Sequence, residues 1–367
     1  MKLLITCPFW LSSILSSELK FLWYKPYDTF QTWIFCDWDV SSVYSINIKS
    51  RIANKVYLSL WQASIDTFDT LFDFVNWLPF AKYIQAWQKI SVTASSKNSK
   101  LSSTPSIQSI VTKSIIKNIT NADWSQWYEN PQQSEFEIYV FIQDDLCQIF
   151  LNTSWNSLHQ RWYRTQTAEA PIKENVAAWL ILLSWRKFRS NFYDPFCWSW
   201  TMCIEAAMIA KNIPPGINRK FAFQSFLDFD PSLFNKIKED CNAKIFKDKK
   251  YQIFGWDIDS PTIDIAIQNA KNAWVYDTIK FETKDFFSLS ELSWHMLSNP
   301  PYGKRLQDFD LNQIYSHIDK LFSNPDLTGW FITSYEGFAT IIQNHYKNRL
   351  IFNWSDKCIF YTKQYSS

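Results

Sequence analysis

The chain has 367 residues, 47% of them apolar and 20% charged, with a formal net charge of +2. That length holds two or three domains with cores of their own. The near-neutral balance excludes a global basic field as the means of reaching a nucleic acid, so such a partner needs a local patch.

The opening MKLLITCPFWL has one lysine and no A-x-A cleavage site, so it reads as a strand rather than a secretion signal. The strand covers 3–7 and runs into an amphipathic helix over 12–22, with Leu11, Ile14, Leu15, Leu19 and Leu22 at helical spacing. A strand at 34–36 and a helix at 40–48 follow. Residues 66–155 hold two further helical stretches and strands at 89–93, 136–141 and 148–152. Between 89 and 122 lie Lys89, Lys97, Lys100, Lys113 and Lys117, many serines and threonines, and no acidic residue. That face suits phosphates, with a plain solvated lysine face as the competing reading. Residues 156–170 are polar and basic and read as a linker. Strands and helices then alternate at 192–196, 204–211, 253–257, 262–273, 279–281 and 296–299, which predicts a parallel α/β sheet. The longest apolar run, near 176–184, is too short to span a bilayer. Seven scattered cysteines without a C-x-x-C pair read as reduced, buried thiols of a cytoplasmic protein, with no metal site. The four histidines read as structural or surface residues.

The tetrapeptide Asn299-Pro300-Pro301-Tyr302 at a strand end carries chemistry. Two prolines stiffen the turn and remove two backbone donors. The Asn299 side-chain oxygen and the Pro300 carbonyl can then both accept from one planar amino group, while Tyr302 offers a flat face to a base. Positioning does most of the work on an amine nucleophile, whose proton can leave after transfer. Upstream, Asp194, Pro195, Cys197, Trp198, Ser199, Trp200 and Thr201 form a loop between strand and helix, the place where bare backbone usually cradles a ligand. Asp194 can take the amino end of an amino-acid-like ligand. Asp257, at the next strand end, can take a ribose diol, Ile258 can line an adenine pocket, and Asp285 can accept from an adenine amine. Each aspartate alone reads equally as a cap or surface carboxylate; their order along the chain makes the constellation.

The loop's two tryptophans expose an anomaly. Average usage gives roughly 26 glycines in a chain of this length. Here 5 glycines and 20 tryptophans together make 25.

The motifs TSWNSLHQRWYR (153–164), APIKENVAA (170–178), DPFCWSWT (194–201), GWDID (255–259), NAWV (272–275), NPPYGKRL (299–306) and NWSDKC (353–358) occur in order between 153 and 358. Together they resemble the THUMP-containing ribosomal RNA guanine-N2 methyltransferases. The resemblance implies a Rossmann-like class I methyltransferase domain preceded by an α+β, ferredoxin-like and THUMP RNA-binding region. Its divisions would be a ferredoxin-like segment at 1–65, a THUMP domain at 66–155, the linker at 156–170 and the catalytic domain at 171–367. It implies S-adenosylmethionine as cofactor and methyl transfer to N2 of a guanine in 23S ribosomal RNA or a pre-50S particle. RNA would be met by Lys97, Lys100, Lys113, Lys117, Arg161 and Arg164. Guanine N2 in transfer RNA and adenine N6 remain open, because the Asn-Pro-Pro-Tyr turn suits any exocyclic amine, and a non-catalytic RNA-binding relative remains open if Trp198 and Trp200 are genuine. A duplexed base would have to leave its stack to reach that turn.

Trp155, Trp162, Trp198, Trp200, Trp274 and Trp354 stand where the family pattern has glycine. Trp10, Trp23, Trp38 and Trp61 occupy similar turns, and Trp256 a position that favours a small residue. The expectation is that UGA codons meaning glycine have been written as tryptophan, with Trp330 and Trp127 as candidates for genuine tryptophan.

Overall fold

In the computed structural model, the described residues are 2–363 apart from 38, 85–87, 121–128, 131–134, 165–171, 186–187, 189, 198–199, 302–309, 342–345 and 354–355, with backbone alone at 352, 353 and 356. They fall into two compact units, 1–158 with 218–240, and 159–217 with 241–367.

Unit 1 opens with β1 (Lys2–Thr6) and α1 (Ser12–Phe21), followed by β2 (Pro26–Tyr27), β3 (Trp33–Asp37), α2 (Val40–Lys49) and β4 (Lys55–Ser64). Then come α3 (Phe68–Trp77), β5 (Ile90–Lys97), α4 (Thr104–Thr120), β6 (Phe136–Gln143) and β7 (Leu146–Asn152). These strands form one seven-stranded sheet in the order β2-β3-β1-β4-β7-β6-β5. Only β5 and β6 pair in parallel, so α4 is their crossover. β6 buries Phe136, Ile138, Val140 and Ile142 on alternate positions, the two-residue period of a half-buried strand. Each such side chain contributes about 1.5–3 kcal/mol. Capping boxes at Asp39 and Thr67 begin α2 and α3.

The sequence reading divides this region at residue 65. The structure joins both parts in one sheet, because β4 pairs with β1 on one side and β7 on the other. Residues 218–240 also belong here, although the sequence reading placed them in the catalytic domain. The reason is a long-range aromatic cluster: Tyr44 stacks on Phe223 at 4.5 Å and meets Phe229 and Phe234 edge-on at 5.7 and 5.8 Å.

Unit 2 contains α5 (Glu174–Ser184), β8 (Phe192–Asp194) and α6 (Thr201–Ala210); α7 (Pro231–Ala243) runs across the division between the two units' segments. The rest of unit 2 is β9 (Ile253–Asp257), α8 (Ser260–Asn272), β10 (Ile279–Thr283), β11 (Trp294–Ser298), α9 (Leu311–Leu321), β12 (Leu327–Thr333), α10 (Phe338–Ile341), β13 (Tyr346–Asn353) and β14 (Asp356–Lys363). The sheet order is β10-β9-β8-β11-β12-β14-β13. The first five strands are parallel, as the alternating pattern predicts. The antiparallel hairpin β13–β14 closes the far edge and was not foreseen. Strand order reverses between β8 and β11, and ligands of such sheets bind outside the carboxyl ends at that point. Gly255 in β9 permits close approach of α6: a Cβ there would lie 2.8 Å from the Phe281 ring and 3.0 Å from Cys203 Sγ.

Among the described residues, eleven non-glycine residues have positive φ, and five are tryptophans: Trp23, Trp155, Trp200, Trp274 and Trp294. Left-handed backbone costs a residue with a Cβ about 1–2 kcal/mol. No described helix is long and apolar enough to cross a membrane.

Candidate active site at the carboxyl ends of β8, β9 and β11

β8 ends on Asp194, β9 ends on Asp257, and β11 runs through Ser298 into Asn299 and Pro300. Asp194 is 2% exposed. Its Oδ1 accepts from Ser298 Oγ at 2.7 Å and from the Phe196 amide at 3.3 Å. The first bond ties the end of β8 to the residue immediately before the Asn-Pro-Pro turn. Burial pushes the Asp194 carboxyl up to about 7; the two hydrogen bonds oppose this, and Asp257 adds to it. Such a carboxyl is poised to ionise when a cation arrives beside it.

Asp257 Oδ1 accepts from the Asp259 amide at 3.0 Å, and its carbonyl accepts from the Lys284 amide at 2.7 Å. Asp285 caps the next turn by accepting from the Phe287 amide at 2.9 Å. A cleft of about 280 Å³ lies among these groups. Pro195, Asp257, Ile258, Asp285 and Pro301, all singled out from the sequence, line it together. Asp194, Asn299 and Pro300 are buried at the adjoining strand ends. Cys197, Trp200 and Thr201 are buried and do not line the cleft. Trp198, Ser199 and Tyr302 lie outside the described residues.

Among the described residues, Phe196, Lys284, Phe286, Phe287 and Ile314 also line it and were missed. Phe286 packs on Phe196 at 4.4 Å, giving the cleft an apolar wall. Their sequence signal was adjacency: each lies within two residues of a predicted site residue, except Ile314, which arrives from α9. Burial pushes the Cys197 and Cys203 thiols well above their usual range, which removes both as thiolate nucleophiles. His295 in β11 is buried neutral, its imidazole pushed down to about 3, with Nδ1 2.9 Å from Thr328 Oγ1.

Two parts of the expected RNA surface need correction. Arg161 and Arg164 are interior residues. The Arg161 side chain is 1% exposed and lies 3.1 Å from Glu205 Oε1 in α6, which also accepts from the Tyr163 hydroxyl at 3.1 Å. Arg164 pairs with Glu174 at 2.8 Å and donates to Thr201 Oγ1 at 2.6 Å, at the first residue of α6. A guanidinium so enclosed has no face to offer a phosphate. The described part of the presumed linker therefore anchors α6 behind the loop.

The lysine-rich stretch is also less cationic in space than in sequence, because other segments bring acids to it. Glu135 lies 3.4 Å from Lys89, and Asp66 lies 3.6 Å from Lys100. Lys97 is exposed and helps to hold the Asp144 carboxyl below its usual range, after the hydrogen bonds from Asn98 and Gln143. Lys113 and Lys117 share one face of α4, four residues apart, with Lys117 Nζ 5.4 Å from the Phe72 ring centroid.

Comparison with known proteins accords with this geometry. Residues 161–346 match the family model UPF0020, described as RMKL-like, methyltransferase domain. YpsC of Bacillus subtilis (strain 168), provisionally assigned as an RNA methyltransferase, is 31% identical over 98% of this chain and 94% of its own. Ribosomal RNA large subunit methyltransferase K/L of Shewanella baltica (strain OS185) is 28% identical over 86% of this chain; the match spans 46% of that longer protein. The crystal structure of SMU.472, a candidate methyltransferase complexed with SAH, superposes with a TM-score of 0.88 at 30% identity, covering 100% of this chain and 99% of that one. With a catalytic-domain match over half its length and a relative alignable from end to end, the chain belongs to the RMKL-like methyltransferase family.

Proposed function

We propose that the protein transfers a methyl group from S-adenosylmethionine to the exocyclic N2 of a guanine in 23S ribosomal RNA, in the cytoplasm. The observation that carries this reading is the Ser298–Asp194 hydrogen bond, which joins the amine-gripping turn to the carboxyl end of β8 beside the cleft. The residues present fit the donor. Asp257 and Asp285 offer carboxylates to a ribose diol and an adenine amine, Ile258 and Phe286 offer apolar faces, and Asp194 can hold an ammonium. S-adenosylmethionine would supply a methyl group bound to a sulfonium, which needs no acid to leave.

The protein's task is then orientation. The Asn299 side-chain oxygen and the Pro300 carbonyl accept the two amine hydrogens, aim the lone pair, and leave the surplus proton to water after transfer. Tyr302 would stack on the base. The ferredoxin-like segment (1–65) and the THUMP domain (66–155) would bind the RNA, with the lysine-bearing stretch 89–117 on its path. Ribosomal RNA is favoured as substrate by the K/L relative, which acts on the large subunit by its name.

The test is methyl transfer from labelled donor to 23S RNA, transfer RNA and DNA, followed by nucleoside digestion. N2-methylguanosine in 23S RNA is expected, and loss of the product in Asn299→Ala ties it to the turn. N6-methyladenine, or product in transfer RNA alone, would replace the guanine or ribosomal reading. No product on any substrate would overturn the enzymatic one.

A further inference from the structure

We infer that the polypeptide made in its source carries glycine at residues 23, 155, 200, 274 and 294, and that glycine at 200 opens the cofactor loop. The five share a backbone property. Their φ values are 70°, 63°, 42°, 61° and 85°. The remaining positive-φ residues comprise five aspartates or asparagines, whose side chains tolerate this region, and Phe188. Tryptophan has no such tolerance, yet supplies five of the other six.

The hydrogen bonds around two of them are those of a glycine-terminated helix. After α1, the Trp23 amide bonds to the Lys20 carbonyl at 3.0 Å, and the Tyr24 amide reaches the Leu19 carbonyl at 2.9 Å. After α8, the Trp274 amide bonds to Lys271 at 3.1 Å, and Val275 reaches Ala270 at 3.0 Å. Both are Schellman turns, whose left-handed residue is ordinarily glycine and sometimes asparagine. The end of α6 is an internal control. There Asn212 bonds to Ile209 at 3.0 Å and Ile213 to Met208 at 2.8 Å, with asparagine at the left-handed position. Trp23 gains nothing from its ring, which is 94% exposed.

At the cofactor loop the contradiction is sharper. Trp200 precedes α6 with φ 42° and ψ −5°, where a capping residue is usually extended. Its indole is fully buried, and its N–H has no hydrogen-bond partner among the described residues. Trp185 shows the contrary pattern: its N–H donates to Ser190 Oγ at 3.0 Å and its ring packs on Phe192 at 5.1 Å. Trp330 packs on Phe360 at 5.0 Å in β12. The backbone criterion also selects Trp294, at the start of β11, which the sequence motifs had not singled out. A single change of meaning accounts for all five: UGA codons read as glycine in the source and written as tryptophan here.

Only the role of residue 200 rests on the proposed methyl-donor site; residue identity can be read independently. Peptide mass mapping of the protein purified from its source should find glycine at all five positions and tryptophan at 185 and 330. Tryptophan at any of the five, or glycine at 185 or 330, overturns the inference. For function, S-adenosylhomocysteine binding is compared by calorimetry between two forms that carry glycine at 23, 155, 198, 274 and 294, one keeping Trp200 and the other with Trp200→Gly as well. At least tenfold tighter binding by the form with Trp200→Gly is expected, and equal affinity overturns the role of residue 200. If neither form binds, the donor site itself is refuted, and the peptide masses still decide the residue identities. A Trp23→Gly/Trp274→Gly form should gain hydrogen-exchange protection at the Tyr24 and Val275 amides, which close the two turns; lowered protection there contradicts the helix-end argument.

Discussion

Replacing Glu205 by glutamine isolates the ionic cluster that anchors α6. Arg161 stays charged, with a 1% exposed side chain and no carboxylate at 3.1 Å. The Tyr163 hydroxyl retains an oxygen in the same place, so most of the loss falls on the guanidinium. Removing one partner of a buried pair costs about 3–5 kcal/mol. Arg161→Met should cost a similar amount by stranding the carboxylate. The double change Arg161→Met/Glu205→Leu removes both charges together, so neither ion is left buried without the other; the Tyr163 hydroxyl it unpairs costs about 1–3 kcal/mol. The double variant should therefore be more stable than either single one, with a coupling of at least about 3 kcal/mol. Two compact units make a global unfolding midpoint ambiguous, so the measurement is hydrogen exchange of the α6 amides in the full chain. Protection there should fall by roughly 10²–10⁴-fold in each single variant. A loss below about 1 kcal/mol in Glu205→Gln, or additive single effects, would refute the reading of Arg161 as a buried structural residue.

Asp194 sets a pH dependence. Its folded carboxyl lies near 7, so an ammonium ligand favours its ionised form, and donor affinity should rise as pH increases through about 7. Asp194→Asn should bind about tenfold or more weakly, with a flat profile; an unchanged profile would remove Asp194 from the site. Asn299→Ala should lower kcat about 10²-fold or more while leaving donor affinity within about twofold, read by single-turnover methyl transfer and calorimetry. His295 titrates near 3 in the fold and near 6.5 when unfolded. The unfolded chain therefore binds more protons between those values, and stability falls as pH drops through that window. At pH 5 the loss is about 2 kcal/mol, and His295→Phe should abolish that part of the acid sensitivity in the hydrogen-exchange protection of the β11 amides across pH.

The cleft of unit 2 was largely legible because the residues that line or adjoin it sit at strand ends in a fixed chain order. Asp194, Asp257, Asp285 and the Asn-Pro-Pro turn could be placed without coordinates, since each terminates a strand or opens the turn after one. The RNA surface was less legible. The run from 89 to 122 contains no acid, but Glu135, Asp66 and Asp144 reach its lysines through tertiary pairing. Arg161 and Arg164 looked like solvated linker residues because their partners, Glu205 and Glu174, lie 44 and 10 residues away. The affiliation of 218–240 with unit 1 was hidden for the same reason: phenylalanines advertise burial and not the surface they bury against. The tryptophan anomaly was legible from composition, and backbone angles then picked out individual positions.

The most direct test is the structure of the form with glycine at 23, 155, 198, 200, 274 and 294, with S-adenosylhomocysteine bound. The account predicts the ribose on Asp257, the adenine against Ile258 near Asp285, and the ligand's ammonium on Asp194, with its sulfur facing Asn299. Ligand bound elsewhere on the chain, or bound in this cleft with its sulfur turned away from Asn299, would contradict it.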